Sequence, residues 1–165
     1  MNEARVTAFH EAGHAIAARL RGAQVLRVSI DPGFVTYQLP QVPQKLFRNG
    51  QRIENPEPAP AAHEDGFIWL AGSWAQVRAE VPLSDARFPE LVAATLEDNA
   101  TDYAGYLAAQ RDPAAEGHWS NQLEQHWPYI IRVANALHRE HFEKVRLNRE
   151  SRIRQLKRRS TRFPT

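Results

Sequence analysis

Near the start of the chain, Phe9-His10-Glu11-Ala12-Gly13-His14 places two histidines four residues apart with a glutamate beside the first. On a helix that spacing sets the two imidazoles one turn apart on a single face, close enough to share one cation. Two ring nitrogens are half of a tetrahedral zinc site. Glu11 is then placed to reach a water on such an ion rather than the ion itself. As a catalytic base it takes the water's proton while hydroxide attacks a peptide carbonyl, and later passes that proton to the leaving amine. A chain of this composition yields about 0.02 such patterns by chance. The surroundings strengthen the signal: Ala12, Gly13 and Ala15 allow another element to approach closely, and the flanks are apolar. Histidines that merely decorated a core helix would leave polar rings on an apolar face in need of partners.

A catalytic zinc requires a third protein ligand. The chain has no cysteine, so that ligand is an imidazole or a carboxylate. Candidates are the carboxylates and His63, His118, His126, His138 and His141, and spacing alone does not choose among them. His138 and His141 read as an exposed pair at the start of a charged tail. His118 and His126, flanking Trp119 and Trp127, read as surface or packing residues.

The elements that position these groups follow from periodicity. Asn2 is a suitable N-cap for a helix over 6–20, with apolar Val6, Phe9, Ile16 and Leu20 and a stop at Gly22. Residues 25–30 and 34–39 predict two strands joined by a turn at Asp31, Pro32 and Gly33. Pro40, Pro43, Pro56, Pro58 and Pro60 predict a surface loop over 40–62. Phe67, Ile68, Leu70, Ala71, Trp74, Ala75 and Val77 predict a buried helix over 65–80, stopped at Pro82. A third helix is expected over 90–110, ended by Asp112 and Pro113. A fourth begins near Ser120 or Pro128, with Ile130, Val133, Ala134 and Leu137 as its core stripe. The apolar stripe then thins to Leu147, Ile153 and Leu156, predicting a protruding or frayed end. The expected fold class is α+β, mainly α-helical: the motif helix, a small β-ribbon, a helical bundle and a basic C-terminal helix.

At 165 residues and 42% hydrophobic content the chain suits one domain. It has no apolar run of eighteen residues, and Glu3 and His10 break any secretory pattern, so a cytoplasmic protein without a membrane partner is expected. The formal charge of +2 conceals an asymmetry: ten Lys or Arg against three Glu lie between Arg139 and Arg162, which leaves eleven basic and sixteen acidic residues in the first 138. The division expected is a metallopeptidase domain over 1–138 and a basic tail over 139–165. Such a tail is most often a solvated helix, and otherwise a contact for nucleic acid or a partner protein.

The chain resembles the peptidase domain of the FtsH family of ATP-dependent zinc proteases. The resemblance rests on Ala8 to Ala15 around the motif, on 25–30 with Pro32, Gly33, Tyr37, Leu39 and Pro40, and on Leu70, Ala71, Gly72 and Ala75. It extends to Asn99, Ala100, Thr101 and Asp102. Gln76 stands where the family has an acidic residue. The resemblance implies Zn2+ held by His10, His14 and Asp102; beside it, Asp98, one helical turn earlier, and Glu97 or Asp85 stay open as alternative carboxylates for the third position. It also implies a ribbon that offers its edge to an extended polypeptide substrate. No glycine-rich nucleotide-binding loop accompanies these motifs. The expected activity is therefore zinc-dependent, ATP-independent endopeptidase action on flexible or unfolded chains, with a separate ATPase or adaptor as a possible partner. The alternative is a regulatory or binding module that keeps the metal site and engages nucleic acid or protein through its tail.

Overall fold

The structure, a computed structural model, describes residues 1–38, 46–48, 51–53, 66–109 and 113–160. Among these residues the order is α1 (Glu3–Leu20), β1 (Gln24–Ile30), β2 (Gly33–Gln38), β3 (Leu46–Arg48), β4 (Gln51–Ile53), α2 (Gly66–Arg78), α3 (Phe88–Asp98), α4 (Ala100–Ala108), α5 (Pro113–Gln125) and α6 (Trp127–Ser160). The protein is mainly helical, and among the described residues its strands form two two-stranded antiparallel ribbons, β1–β2 and β3–β4. No helix among the described residues is long and apolar enough to cross a membrane.

The central element is α1. Asn2 starts it by accepting the Arg5 amide proton at 2.9 Å, which satisfies one of the amides a helix start leaves free. Gly22, at φ 80°, ends it in the left-handed region that glycine enters without a Cβ penalty. Every residue from Ala8 to Ala18 is buried. The small residues explain how: a Cβ added to Gly13 would strike the Ala71 carbonyl, so the backbones of α1 and α2 approach more closely than larger side chains permit. On another side α6 covers α1, with Phe9 stacked on Trp127 at 5.5 Å between centroids. Trp74 of α2 meets Phe88 and Trp127 edge-on at 5.7 and 6.0 Å. All seven apolar residues expected to face inward from α2 are buried. In β1–β2, Ile30 lies opposite Gly33 and Gln24 opposite Gln38, with an irregularity between Val25 and Arg27 that leaves Leu26 exposed.

Three expectations change. The single helix over 90–110 is two helices, because Asn99 adopts extended backbone (φ −97°, ψ 92°) and caps α4. An asparagine that bonds nearby amides offers the chain an alternative to continued helix. Residues 113–125 form α5 ahead of the helix that starts at Trp127, where a start near Ser120 or Pro128 was expected. Within 40–62 the short β3–β4 ribbon pairs Leu46 with Ile53, where only loop was expected. The five prolines of that segment, and His63, lie outside the described residues. Apart from these three, α6 runs unbroken through residues 138 and 139, and its residues 142–154 are exposed, as the expected protruding helix would be.

Candidate metal centre

His10 and His14 project from α1 with their rings edge-on, centroids 4.7 Å apart at 80°. Asp102, in the first turn of α4, reaches the same point from another element. Its Oδ2 lies 2.9 Å from His10 Nε2 and 3.0 Å from His14 Nε2, and the two Nε2 atoms are 3.0 Å apart. All three residues are buried, at 6–7% exposure. Among the described residues this is the one group of three that could hold a metal ion.

The hydrogen bonding of the triangle shows why a cation would suit it. His14 Nδ1 lies 2.7 Å from the Ile68 carbonyl. A carbonyl only accepts, so Nδ1 carries the proton, and Nε2 of a neutral ring presents a lone pair. That lone pair faces the Asp102 carboxylate, itself an acceptor, and the ring nitrogen of His10. A single shared proton can bridge one such contact at a time, whereas a divalent cation satisfies all three. Ligand atoms about 2.0–2.1 Å from a tetrahedral ion stand about 3.3–3.4 Å apart, so the triangle has to open by only a few tenths of an ångström. Burial pushes the Asp102 carboxyl up, but with the rings protonated the hydrogen bonds and charges of His10 and His14 outweigh it and hold Asp102 well below the usual carboxylate range; a cation in place of those protons acts in the same direction. It is an ionised oxygen ligand, ready without loss of a proton.

Two glycines make the space. A Cβ on Gly72 of α2 would collide with His14 Nε2 and lie 2.8 Å from His10 Cε1, so α2 passes directly beneath the ligands. A Cβ on Gly33, at the start of β2, would lie 2.6 Å from Glu11 Oε1. Glu11 is 5% exposed. Desolvation pushes its carboxyl up to about 7, the His10 charge opposing and the Asp102 charge reinforcing that shift. Around these groups opens a cleft of about 480 Å³, with β2 from Gly33 to Tyr37 along one wall and Ile68, Trp69, Asn99 and Thr101 along the other. Trp69 is seated against Gly105, where any Cβ would meet the indole.

The remaining candidates lie elsewhere. His118 is exposed, and His126 is half-buried with Nδ1 donating to the Gln122 carbonyl at 2.9 Å. His138 and His141 are not an exposed pair: both are half-buried, each packing against Phe142. α6 is still pressed toward the ribbon at this height, and His141 helps line a small hollow with Arg27 to Asp31 of the first ribbon. Glu97 and Asp98 are exposed on α3, and Asp85 is engaged by Arg87 at 2.9 Å. Gln76 is half-buried on α2.

Sequence reasoning gave no role to the Ile68 carbonyl or the Asn99 side chain, gave Gly33 only a place in a turn, and reached Gly72 only through the resemblance. The signals were present for two of them. A glycine inside a helical pattern points to close packing, and Asn followed three residues later by Asp, ahead of apolar residues, is a helix-start pattern that would have split the expected third helix. Comparison with protein-family models, curated proteins and solved structures finds no match to this chain.

Proposed function

We propose that this chain is a zinc-dependent metalloendopeptidase that hydrolyses peptide bonds of flexible or unfolded polypeptides without ATP. The observation that carries the reading is the convergence of two imidazole nitrogens and one carboxylate oxygen on a single buried point beside Glu11, at the floor of an open cleft. His10, His14 and Asp102 would hold the ion, and two nitrogens with one oxygen are a donor set that suits zinc and leaves a position open. When bound, the ion supplies Lewis acidity toward the carbonyl and the water.

The chain's own groups supply the rest. Glu11 accepts a proton from the attacking water as the water's oxygen bonds to the scissile carbonyl carbon and the carbonyl π pair moves onto its oxygen. That pair then returns, the carbon–nitrogen bond breaks, and Glu11 gives its proton to the departing amine. Its raised pKa suits a group that must both take and release a proton near neutrality. The ribbon provides the track. β2, paired with β1, lines the cleft from Gly33 to Tyr37, and an extended peptide laid along it would bind by strand addition. The resemblance to the FtsH peptidase domain supports the same reading, and a separate ATPase or adaptor would extend it to folded substrates.

The deciding experiment is metal analysis of the purified chain together with digestion of a peptide library. Zinc near one equivalent per chain and cleavage are expected, and Glu11→Gln should keep the zinc while losing hydrolysis. Cleavage by Glu11→Gln at the parent rate would refute the mechanism.

A second reading rests on α6, whose exposed half is part of a segment with ten Lys or Arg between 139 and 162. In this reading the protein is a binding module whose helix neutralises nucleic-acid phosphates. Affinity for duplex DNA or RNA would then fall steeply between 50 and 200 mM salt, by roughly 10³-fold or more for six or more phosphate contacts. Absent or salt-independent binding removes it.

A further inference from the structure

Asn99 is bound on both sides of its carboxamide. Its Oδ1 accepts the Asp102 amide proton at 3.3 Å, capping α4. That contact fixes which end of the amide is which, and Nδ2 lies 3.3 Å from His10 Nε2. The Nδ2 contact requires a lone pair on His10 Nε2, and that lone pair is the one the metal site needs. When His10 is a ligand, the Asn99 N–H group loses its acceptor. The oxygen side of the amide is tied down by the cap, so Nδ2 cannot swing away, and it remains at the cleft wall beside the ligand cluster. A donor so held, with no acceptor among the described residues, is suited to an oxygen that arrives with the substrate.

We propose that Asn99 is a catalytic residue whose Nδ2–H donates to the scissile carbonyl oxygen as that oxygen takes up negative charge. This inference rests on the peptidase reading and deepens it. The bond changes are those given for Glu11: water's oxygen joins the carbonyl carbon, Glu11 holds the proton, and the displaced π pair sits on the oxygen that Asn99 faces until the carbon–nitrogen bond breaks. Asn99 gains and loses no proton. A fixed donor aimed at developing charge favours the transition state over the bound substrate, so its removal acts on kcat more than on KM. One side chain thereby orients α4, which carries Asp102, and also serves the reacting carbonyl.

The variant that separates the two roles is Asn99→Ser, which keeps an oxygen to cap α4 and deletes the amide donor. Asn99→Thr repeats the deletion with a second capping hydroxyl, should the serine protein fold poorly. In zinc-loaded protein kcat should fall about 10²-fold with KM and zinc affinity held. Affinity for a peptide phosphinate, a mimic of the tetrahedral species, should weaken by a similar factor. Parent-like kcat and phosphinate affinity in both variants would overturn the proposal. So would a loss of zinc affinity with kcat restored at saturating zinc, because Asn99 would then only support His10. If zinc-loaded parent protein cleaves no peptide, the peptidase reading fails, and this inference with it. Active parent with unimpaired variants defeats the Asn99 role alone.

Discussion

α2 carries a polar cluster at each end, and the two are built on opposite terms. At its C-terminal end Arg78 donates to both oxygens of Glu124, Nε at 2.8 Å and Nη2 at 2.9 Å, with the guanidinium 5.1 Å from the Trp127 ring centroid. Charges cancel, these donors and acceptors match, and the side chains keep 21% and 33% of their exposure. A paired, partly solvated bridge of this kind contributes about 1 kcal/mol and asks for nothing further. Toward the N-terminal end the Ile68 carbonyl and Gly72 frame His10, His14 and Asp102, which are more deeply buried and hold more lone pairs than protons to fill them. Buried polar groups that do not satisfy one another destabilise a fold unless something else satisfies them. The first cluster is a finished structural joint, and the second is a group that could hold a cation.

The contrast can be broken most directly by removing a ligand. Zinc at about 100 times its dissociation constant stabilises the folded state by about 2.7 kcal/mol, which for a chain of this size raises the melting midpoint by about 5–10 °C. His14→Ala should abolish both that rise and the peptidase activity; a zinc-dependent rise that survived would place the metal elsewhere. Gly72→Ala is the next test. It keeps every ligand but pushes a methyl into the two rings, and zinc titration should show affinity reduced about 10–100-fold, as when outer-shell support is lost.

The pH profile probes the same region without a mutation. If Glu11 is the base proposed above it works only when ionised, so kcat/KM of the zinc-loaded protein should fall about tenfold for each unit below its acid limb. That limb lies at or below about 7, the value that burial gives the carboxyl, because a neighbouring cation draws it down. A rate that rose on acidification would remove Glu11 as the base. The smallest effect belongs to the finished joint. Arg78→Ala should lower the melting midpoint by about 2–4 °C while leaving the zinc-induced rise unchanged.

Much of the fold was legible because it depends on local chemistry. Asn2 and Gly22 bracket α1, Pro82 follows α2, and the alternation on either side of Asp31 and Pro32 marks the first ribbon. The break at Asn99 was written in a capping pattern rather than in periodicity. Residues 90–110 have helical periodicity throughout, and the capping bond from Asp102 to Asn99 competes with continued helix at a single position. The half-burial of His138 and His141 depends on how far α6 follows the ribbon, which no local pattern states. The basic run after Arg139 was read as a solvated, protruding helix, and residues 142–154 lie exposed on α6.

By itself the sequence determined the half of the centre that lies within one helix. Four-residue spacing fixes His10 and His14 on one face through backbone geometry alone, and Glu11 comes with them. Tertiary structure decided the other half. Which carboxylate among several reaches the rings depends on a bend between α3 and α4, on the glycines that let α2 pass beneath the ligands, and on the Ile68 carbonyl that leaves His14 Nε2 with its lone pair. Those are distances between residues as many as 92 positions apart, and helical periodicity carries no information at that range.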